Sequence, residues 1–200
     1  MLNSMRVGTE RIRQIVLSLR VFSRVDEASV KSVDIHEGID STLMILGNRL
    51  KANSERPAIQ IIRNYGDLPL VECYAGQLNQ VFMNLFVNAL DAFEDVTSKH
   101  SYQYLKSNPQ TIEIQTRALD NNWISIAIRD NGLGISEANQ AKLFDAFFTT
   151  KAVGKGTGLG LSISHQIVTE KHNGNLNCIS TLGEGTTFMI EIPCRQAVQT

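Results

Sequence analysis

Gln77, Gln80, Asn84, Asn88, Asp91 and Asp95 recur three or four residues apart, the spacing of one face of a helix. Leu78, Phe82, Leu85 and Ala89 form the apolar stripe of the same helix. Asn84 and Asn88 lie one turn apart inside Val81 to Ala89, a run that otherwise reads as core. A part-buried amide left without a partner costs about 1–3 kcal/mol, so amides in that setting point to a ligand face. An amide oxygen is a hard, neutral donor of the kind Mg²⁺ accepts, and Mg²⁺ takes one or two protein ligands and fills its shell with waters and phosphate oxygens. The helix can therefore present a metal ligand to the phosphates of a nucleotide.

Glycines supply the second group of candidates. Gly132 and Gly134 follow a strand, Gly154, Gly156, Gly158 and Gly160 alternate ahead of a helix, and Gly183 and Gly185 sit in a turn. These three loops hold eight of the fourteen glycines. Glycine is required where φ is positive or where a ligand approaches the main chain too closely for a Cβ. The alternating run offers no G-x-G-x-x-G register, and Gly154-Lys155 lacks both the Gly five residues earlier and the following Ser/Thr of a P-loop. A nucleotide site built from these loops belongs to another architecture; glycine turns alone are also simply turns.

The elements that must position these groups are legible from periodicity. Met5, Ile12 and Leu19, with Ile15 and Phe22, form a heptad seam on a helix over residues 1–25, flanked by Arg6, Arg11, Arg13, Arg20 and Arg24. Residues 26–33 read as a linker, and the remaining domain as 34–194. Asp34 and Glu37 form a capping box opening a helix to about Leu50. A strand near Ile59 to Asn64 and the polar-striped helix over 75–95 follow, then a periodicity-free surface loop over 97–110. Thr111 to Leu119 and Trp123 to Asp130 alternate as hairpin strands. A helix is expected near Glu137 to Phe144 and another near Leu159 to Lys171, ended by Gly174 in a left-handed position. Two strands near 175–180 and 186–192 close the chain. Interleaved this way, the elements predict a two-layer α/β sandwich with a mixed sheet.

Composition narrows the class. The 200 residues are 42% hydrophobic and 20% charged, which describes a globular chain with one substantial core. Nineteen Lys and Arg against twenty Asp and Glu give a formal charge of −1, so no basic field recommends nucleic acid or anionic lipid as a partner. Cys73, Cys178 and Cys194 are odd in number and widely spaced, which fits free thiols in a cytoplasmic setting. No apolar run is long enough to span a bilayer, so any membrane tether of the intact protein would lie outside this chain.

The boxes, taken together, resemble those of sensor histidine kinases. Gln80 to Asp91 is similar to the N-box, Asp130 to Ile135 to the first glycine box, Phe144 to Phe148 to the F-box, Gly156 to Leu161 to the second glycine box, and Gly183 to Thr186 to the third. All five stand in the family's order. The resemblance implies the histidine-kinase-like ATPase fold, a mixed, mostly antiparallel sheet packed on helices, preceded by the second helix of a dimerisation hairpin. It also implies ATP bound with Mg²⁺ between the N-box helix and the glycine boxes. Asp130 would accept the adenine amino group, with a water held near Gly134 and Thr187, while Gly132 and Ile135 complete the first box. Asn88 would ligate Mg²⁺, with Asn84 near the phosphates and Asp91 closing the N-box. Gly156, Thr157, Gly158, Leu159, Gly160 and Leu161 would line the phosphates. Phe147 and Phe148 would anchor a lid over 147–157, in which Lys151 and Lys155 are the cations placed to steady the β- or γ-phosphate.

In related gyrase-type ATPases a Glu that activates water stands where this chain has Asn84. An amide cannot be a general base near neutral pH, so transfer to a nucleophile from another element is favoured over hydrolysis. The expected nucleophile is a histidine, yet no H-box precedes the first helix, and His36, His100, His165 and His172 lack its context. The resemblance thus implies the catalytic part of a protein-histidine kinase, homodimeric when intact and serving the receiver domain of a response regulator. An anti-sigma-factor-type serine kinase and a nucleotide-gated dimerisation module without transfer are the alternatives.

Overall fold

The computed structural model describes residues 29–151 and 158–196. The heptad helix and Lys155, Gly156 and Thr157 of the expected lid lie outside the described residues.

Alternation of β-branched residues builds the central sheet. Strands β2 (Gln60–Tyr65), β4 (Thr111–Leu119), β5 (Trp123–Asp130), β6 (Asn175–Thr181) and β7 (Gly185–Pro193) pair in the order β2-β4-β5-β7-β6, with only the β2–β4 pair parallel. Ile112 and Ile114 of β4, Ile124, Ile126 and Ile128 of β5, and Phe188, Ile190 and Ile192 of β7 all turn to one face and are buried. Period-two patterning permits this only when helices cover that face. Helices α1 (Ile35–Ile45) and α3 (Ala75–Thr97) cover it, through Ile35, Ile39 and Leu43 on the first and Leu78, Phe82, Leu85, Phe86, Ala89 and Phe93 on the second. The result is the two-layer sandwich with a mixed, mostly antiparallel sheet that the sequence predicts.

Several local expectations change. The helix expected to reach Leu50 stops at Ile45, and a separate turn, α2 (Gly47–Leu50), follows from Leu46. Asp34 caps α1 by accepting from the His36 N–H at 2.8 Å. The last residues of the expected linker form β1 (Lys31–Val33), antiparallel to β3 (Val71–Cys73). The stretch over 97–110, expected as loop, contains α4 (Tyr102–Ser107), which is capped by Ser101 and buries Leu105. Of the helix expected over 137–144 only α5 (Glu137–Gln140) forms. Helix α6 (Gly160–Gln166) runs into a π-helical turn, Ile167–Lys171. The left-handed residue after it is Asn173 at φ 51°, not Gly174. Gly174 is needed for another reason: a Cβ there would collide with the carbonyl of Glu191 on β7.

Candidate nucleotide-binding site

The base end begins where β5 runs out of the core. Asp130 continues the face of Ile124, Ile126 and Ile128, and only 5% of it is exposed. Its Oδ1 accepts the Gly132 N–H at 2.8 Å. Burial pushes its carboxyl up to about 6, against the lowering effect of main-chain hydrogen bonds at Gly132 and Thr186. A Cβ on residue 132 would stand 2.8 Å from Asp130 Oδ1 and would push on the carboxylate.

Across the sheet the register partner of Asp130 is Thr186, while Thr187 stands opposite the exposed Arg129. Neighbouring strands turn paired residues to the same face, so Thr187 points away from Asp130. Thr186, 6% exposed, is the residue beside the carboxylate, which corrects the expectation for Thr187. The alternation of Phe188, Ile190 and Ile192 carried that signal in the sequence.

The first and third glycine loops are bolted together. Gly183 N–H donates to the Leu133 carbonyl at 2.7 Å, and Ile135 N–H to Ser180 Oγ at 2.8 Å. Gln140 Nε2 donates to the carbonyls of both Ile135, at 2.7 Å, and Ser180, at 2.9 Å. Gly134 adopts φ +68°, where a Cβ would clash with the Thr181 carbonyl. Ser180 and Gln140 were not among the residues singled out from sequence.

At the other end, Asn84, Asn88 and Asp91 of α3 are half-buried along one stripe. Asn84 Nδ2 donates to the Gly160 carbonyl at 3.0 Å and to Ser164 Oγ at 3.1 Å, which ties the first turn of α6 to α3. A Cβ at Gly160 would meet Asn84 only at 3.5 Å, an ordinary contact, so packing within the chain does not demand glycine there. Lys151 Nζ lies 2.5 Å from Asp91 Oδ2 and 3.4 Å from Asn88 Oδ1. Arg49 of α2 closes on the other oxygen of Asp91 at 2.6 Å and on Glu94 at 2.7 Å. Burial alone would raise the Asp91 carboxyl, but the hydrogen bonds from Arg49 and Lys151 outweigh it and hold the group below its ordinary value. Arg49 is a member of this cluster that sequence spacing did not reveal.

The root of the expected lid is fixed through main chain. Phe147 N–H donates to the Gly158 carbonyl at 2.9 Å, and both residues have positive φ, 68° and 66°. The Phe147 side chain is 74% exposed, so it does not anchor the segment as expected. Phe144 does so instead, packing against the core and, at 4.8 Å between ring centroids, against His165. Leu159 precedes α6, and Leu161 is half-buried against the core. The four histidines make structural contacts: His36 bonds Thr116, His100 bonds Val96, His165 packs on Phe144, and His172 is buried between Tyr74 and Ile167.

The donor set can be tested against the expected metal. Among the described residues no group of three or more His, Cys, Asp or Glu could hold an ion. What α3 offers is the amide oxygen of Asn88 and the carboxylate of Asp91, so a divalent cation here must bring oxygen ligands with it. Phosphate oxygens and waters are such ligands, and Mg²⁺ is the ion that binds in that manner; the residues fit it.

Residues 74–196 match the family model described as histidine kinase-, DNA gyrase B-, and HSP90-like ATPase. Among curated relatives, the chain is 28% identical over 187 residues to sporulation kinase E of Bacillus subtilis, covering 94% of this chain and 23% of that one. It is 33% identical over 189 residues to the two-component sensor PprA of Pseudomonas aeruginosa, covering 92% and 18%. It is 30% identical over 184 residues to the histidine-protein kinase AtoS of Escherichia coli, covering 92% and 27%. The chain thus spans only about a fifth to a quarter of the length of these relatives. Among solved structures, the catalytic domain of histidine kinase ThkA superposes with a TM-score of 0.65 at 24% identity, over 83% of this chain and 96% of that one. ThkA in complex with the response regulator TrrA gives a TM-score of 0.62 at 21% identity, over 96% and 50%. The relatives and solved structures it resembles are sensor kinases, and the family model, matched over more than half of the chain, places it: the chain belongs to the histidine kinase-, DNA gyrase B- and HSP90-like ATPase family.

Proposed function

We propose that this domain binds Mg-ATP across the stripe of α3 and passes the γ-phosphoryl group to a histidine on a dimerisation domain, for onward transfer to a receiver-domain aspartate. The observation that carries this reading is the division of the site. A buried acceptor pair, Asp130 and Thr186, lies at one end, and an amide-carboxylate-lysine cluster, Asn88, Asp91 and Lys151, lies at the other. A nucleotide needs that separation of base and phosphate recognition.

Asp130 accepts from the exocyclic amino group of the base, directly or through a water shared with Thr186. Asn88 is the residue to hold Mg²⁺, which when bound neutralises phosphoryl charge. Lys151 exchanges Asp91 for phosphate oxygen, and Lys155 is a second cation in the same segment. Asn84 keeps α6 and the second glycine box, Gly156 to Leu161, in register with α3. Having no basic atom to take a proton from water, Asn84 leaves hydrolysis slow and transfer to an external nucleophile preferred. The nucleophile and the homodimer contacts come from outside the described residues, and the work is cytoplasmic. Among those residues no helix is long and apolar enough to cross a membrane.

The test is phosphorylation in two parts. With radiolabelled Mg-ATP the chain alone should accumulate no acid-labile phosphate, and a histidine-bearing dimerisation fragment added in trans should become labelled on histidine. Label on serine, or label on no added fragment while ADP still binds, overturns the kinase assignment in favour of a serine kinase or a nucleotide-gated module.

A further inference from the structure

Asp91 carries two cations, one on each carboxylate oxygen. Lys151 Nζ stands on Oδ2 and also reaches Asn88 Oδ1, so its ammonium spans the two groups that α3 offers to a metal. Arg49 Nη2 holds Oδ1 and, with its other proton, Glu94 Oε1. Lys151 thus meets Asp91 from the side of Asn88, and Arg49 meets it from the side of Glu94. The two cations are also held differently. Arg49 stands in α2, and the loop behind it is clamped by Arg56, which is 8% exposed. Arg56 donates to the carbonyls of Arg49, Lys51 and Pro57, the last two at 3.1 and 3.0 Å, and Ile59 N–H donates to the Leu50 carbonyl at 2.9 Å. A planar guanidinium on so fixed a backbone is a stationary charge. Lys151 is a point charge on a four-carbon stem, and its N–H bonds only to Thr149 Oγ1 of its own loop, at 3.2 Å.

We propose that Arg49 is a positioning residue for phosphate binding: it keeps the charge of Asp91 balanced while Lys151 leaves that carboxylate for the nucleotide. Without Arg49, the departure of Lys151 would strip a side chain only 24% exposed of both its cations and set a bare anion beside the incoming polyphosphate. With Arg49 in place one charge-assisted pair persists throughout, and Asn88 is uncovered for the metal at the cost of the Lys151 contacts alone. This assignment rests on the Mg-nucleotide reading above.

The test is calorimetric titration, with Mg²⁺ present, of adenosine and of the β,γ-imido analogue of ATP into the full chain and into Arg49→Gln, Asp91→Asn and the double variant. Adenosine carries no phosphate and should bind wild type and Arg49→Gln alike, whereas the analogue should bind Arg49→Gln about tenfold more weakly than wild type. Removing the Asp91 charge removes the need for Arg49, so Asp91→Asn and the double variant should bind the analogue equally. An arginine that only supports its loop would cost the analogue as much in the Asp91→Asn background, or would weaken adenosine to the same degree, and either result overturns the assignment. If Arg49→Gln does not fold, Arg49→Met keeps the stem without the charge, and the same pattern is expected there. Unchanged analogue affinity in a folded Arg49 variant overturns the assignment and leaves the nucleotide site standing, whereas a wild-type chain that does not bind the analogue overturns the nucleotide reading and the assignment with it.

Discussion

Asp130 ends a core strand with 5% of its surface exposed, and the ionised form is disfavoured there, so its carboxyl rises from its ordinary value to about 6. A carboxyl raised on folding contributes stability that is fully present below the unfolded value near 4 and lost as pH rises through the folded value near 6. Above that window the buried carboxylate costs roughly 3 kcal/mol, at about 1.4 kcal/mol per pKa unit. Asp130→Asn keeps an oxygen for the Gly132 N–H and removes the charge. It should melt at or above wild type at pH 8, with the gain vanishing toward pH 4, while ADP affinity measured by calorimetry drops about a hundredfold for the lost charge-assisted bond. His172 slopes the other way. Its Nε2 accepts the Tyr74 N–H at 3.0 Å, which leaves Nδ1–H to donate to Ile167, and burial lowers its pKa against that second bond. The neutral ring contributes stability that is complete above about 6.5 and lost as pH falls below it. In the Asp130→Asn background, where the opposing slope is gone, chemical denaturation between pH 7 and 5 should show a falling midpoint. A further His172→Gln should flatten that fall and lower the plateau. The carboxylate was legible in the sequence because it ends an alternating strand before two glycines. Thr186 and Thr187 look alike in the sequence until the face of the strand is counted out from Phe188.

The elements around the site are held by main-chain contacts that tolerate little side-chain volume. Gly158 has φ +66°, and a Cβ there would stand 2.6 Å from the Phe147 carbonyl oxygen and 2.7 Å from its Cα. Gly158→Ala should therefore break the Phe147–Gly158 bond at the root of the loop that carries Lys151. The left-handed penalty is about 1–2 kcal/mol, but the Phe147 side chain is 74% exposed, so the damage stays local. The expected result is a melting temperature lowered by only a few degrees and ADP affinity weakened about tenfold, read by scanning calorimetry and titration on one preparation. Period made the large elements legible. The strands Thr111–Leu119 and Trp123–Asp130 form with the expected bounds, and α3 extends the expected helix only to Thr97. Several short elements escaped, although the six-residue β2 forms near its expected place. β1 is held by pairing with β3, and α4 shows no period because its single buried residue, Leu105, cannot define one. The break at Leu46 escaped too, since apolar spacing continues across it to Leu50. Cross-chain partners such as Arg49 on Asp91 depend on tertiary placement that no local pattern encodes.

For the domain as a unit, a ligand that binds only the folded form adds stability in proportion to the logarithm of its concentration. At a hundred times its dissociation constant ADP with Mg²⁺ should add about 2.7 kcal/mol, which for a chain of this size raises the melting temperature by roughly 5–10 °C. Omitting Mg²⁺ should remove part of that shift in wild type, and Asn88→Ala should remove the Mg²⁺-dependent part alone; an identical shift with and without the ion would remove Asn88 from the metal's ligands. The strand order also has a kinetic side. β4–β5 and β6–β7 are hairpins of neighbouring strands, whereas the central β5–β7 pair joins residues far apart in sequence. Local pairs close quickly and distant ones wait on loop-closure entropy, so the two hairpins form early and the seam between them late. Everything between Asp130 and Gly185 belongs to the loop that this seam must close, and it includes Gly132, Gly134, Lys151 and α6. The part of the nucleotide site that lies in this loop is thus the last to be enclosed on the way in and the first released on the way out. A bound nucleotide accordingly acts as a brake on unfolding and leaves the folding rate nearly untouched.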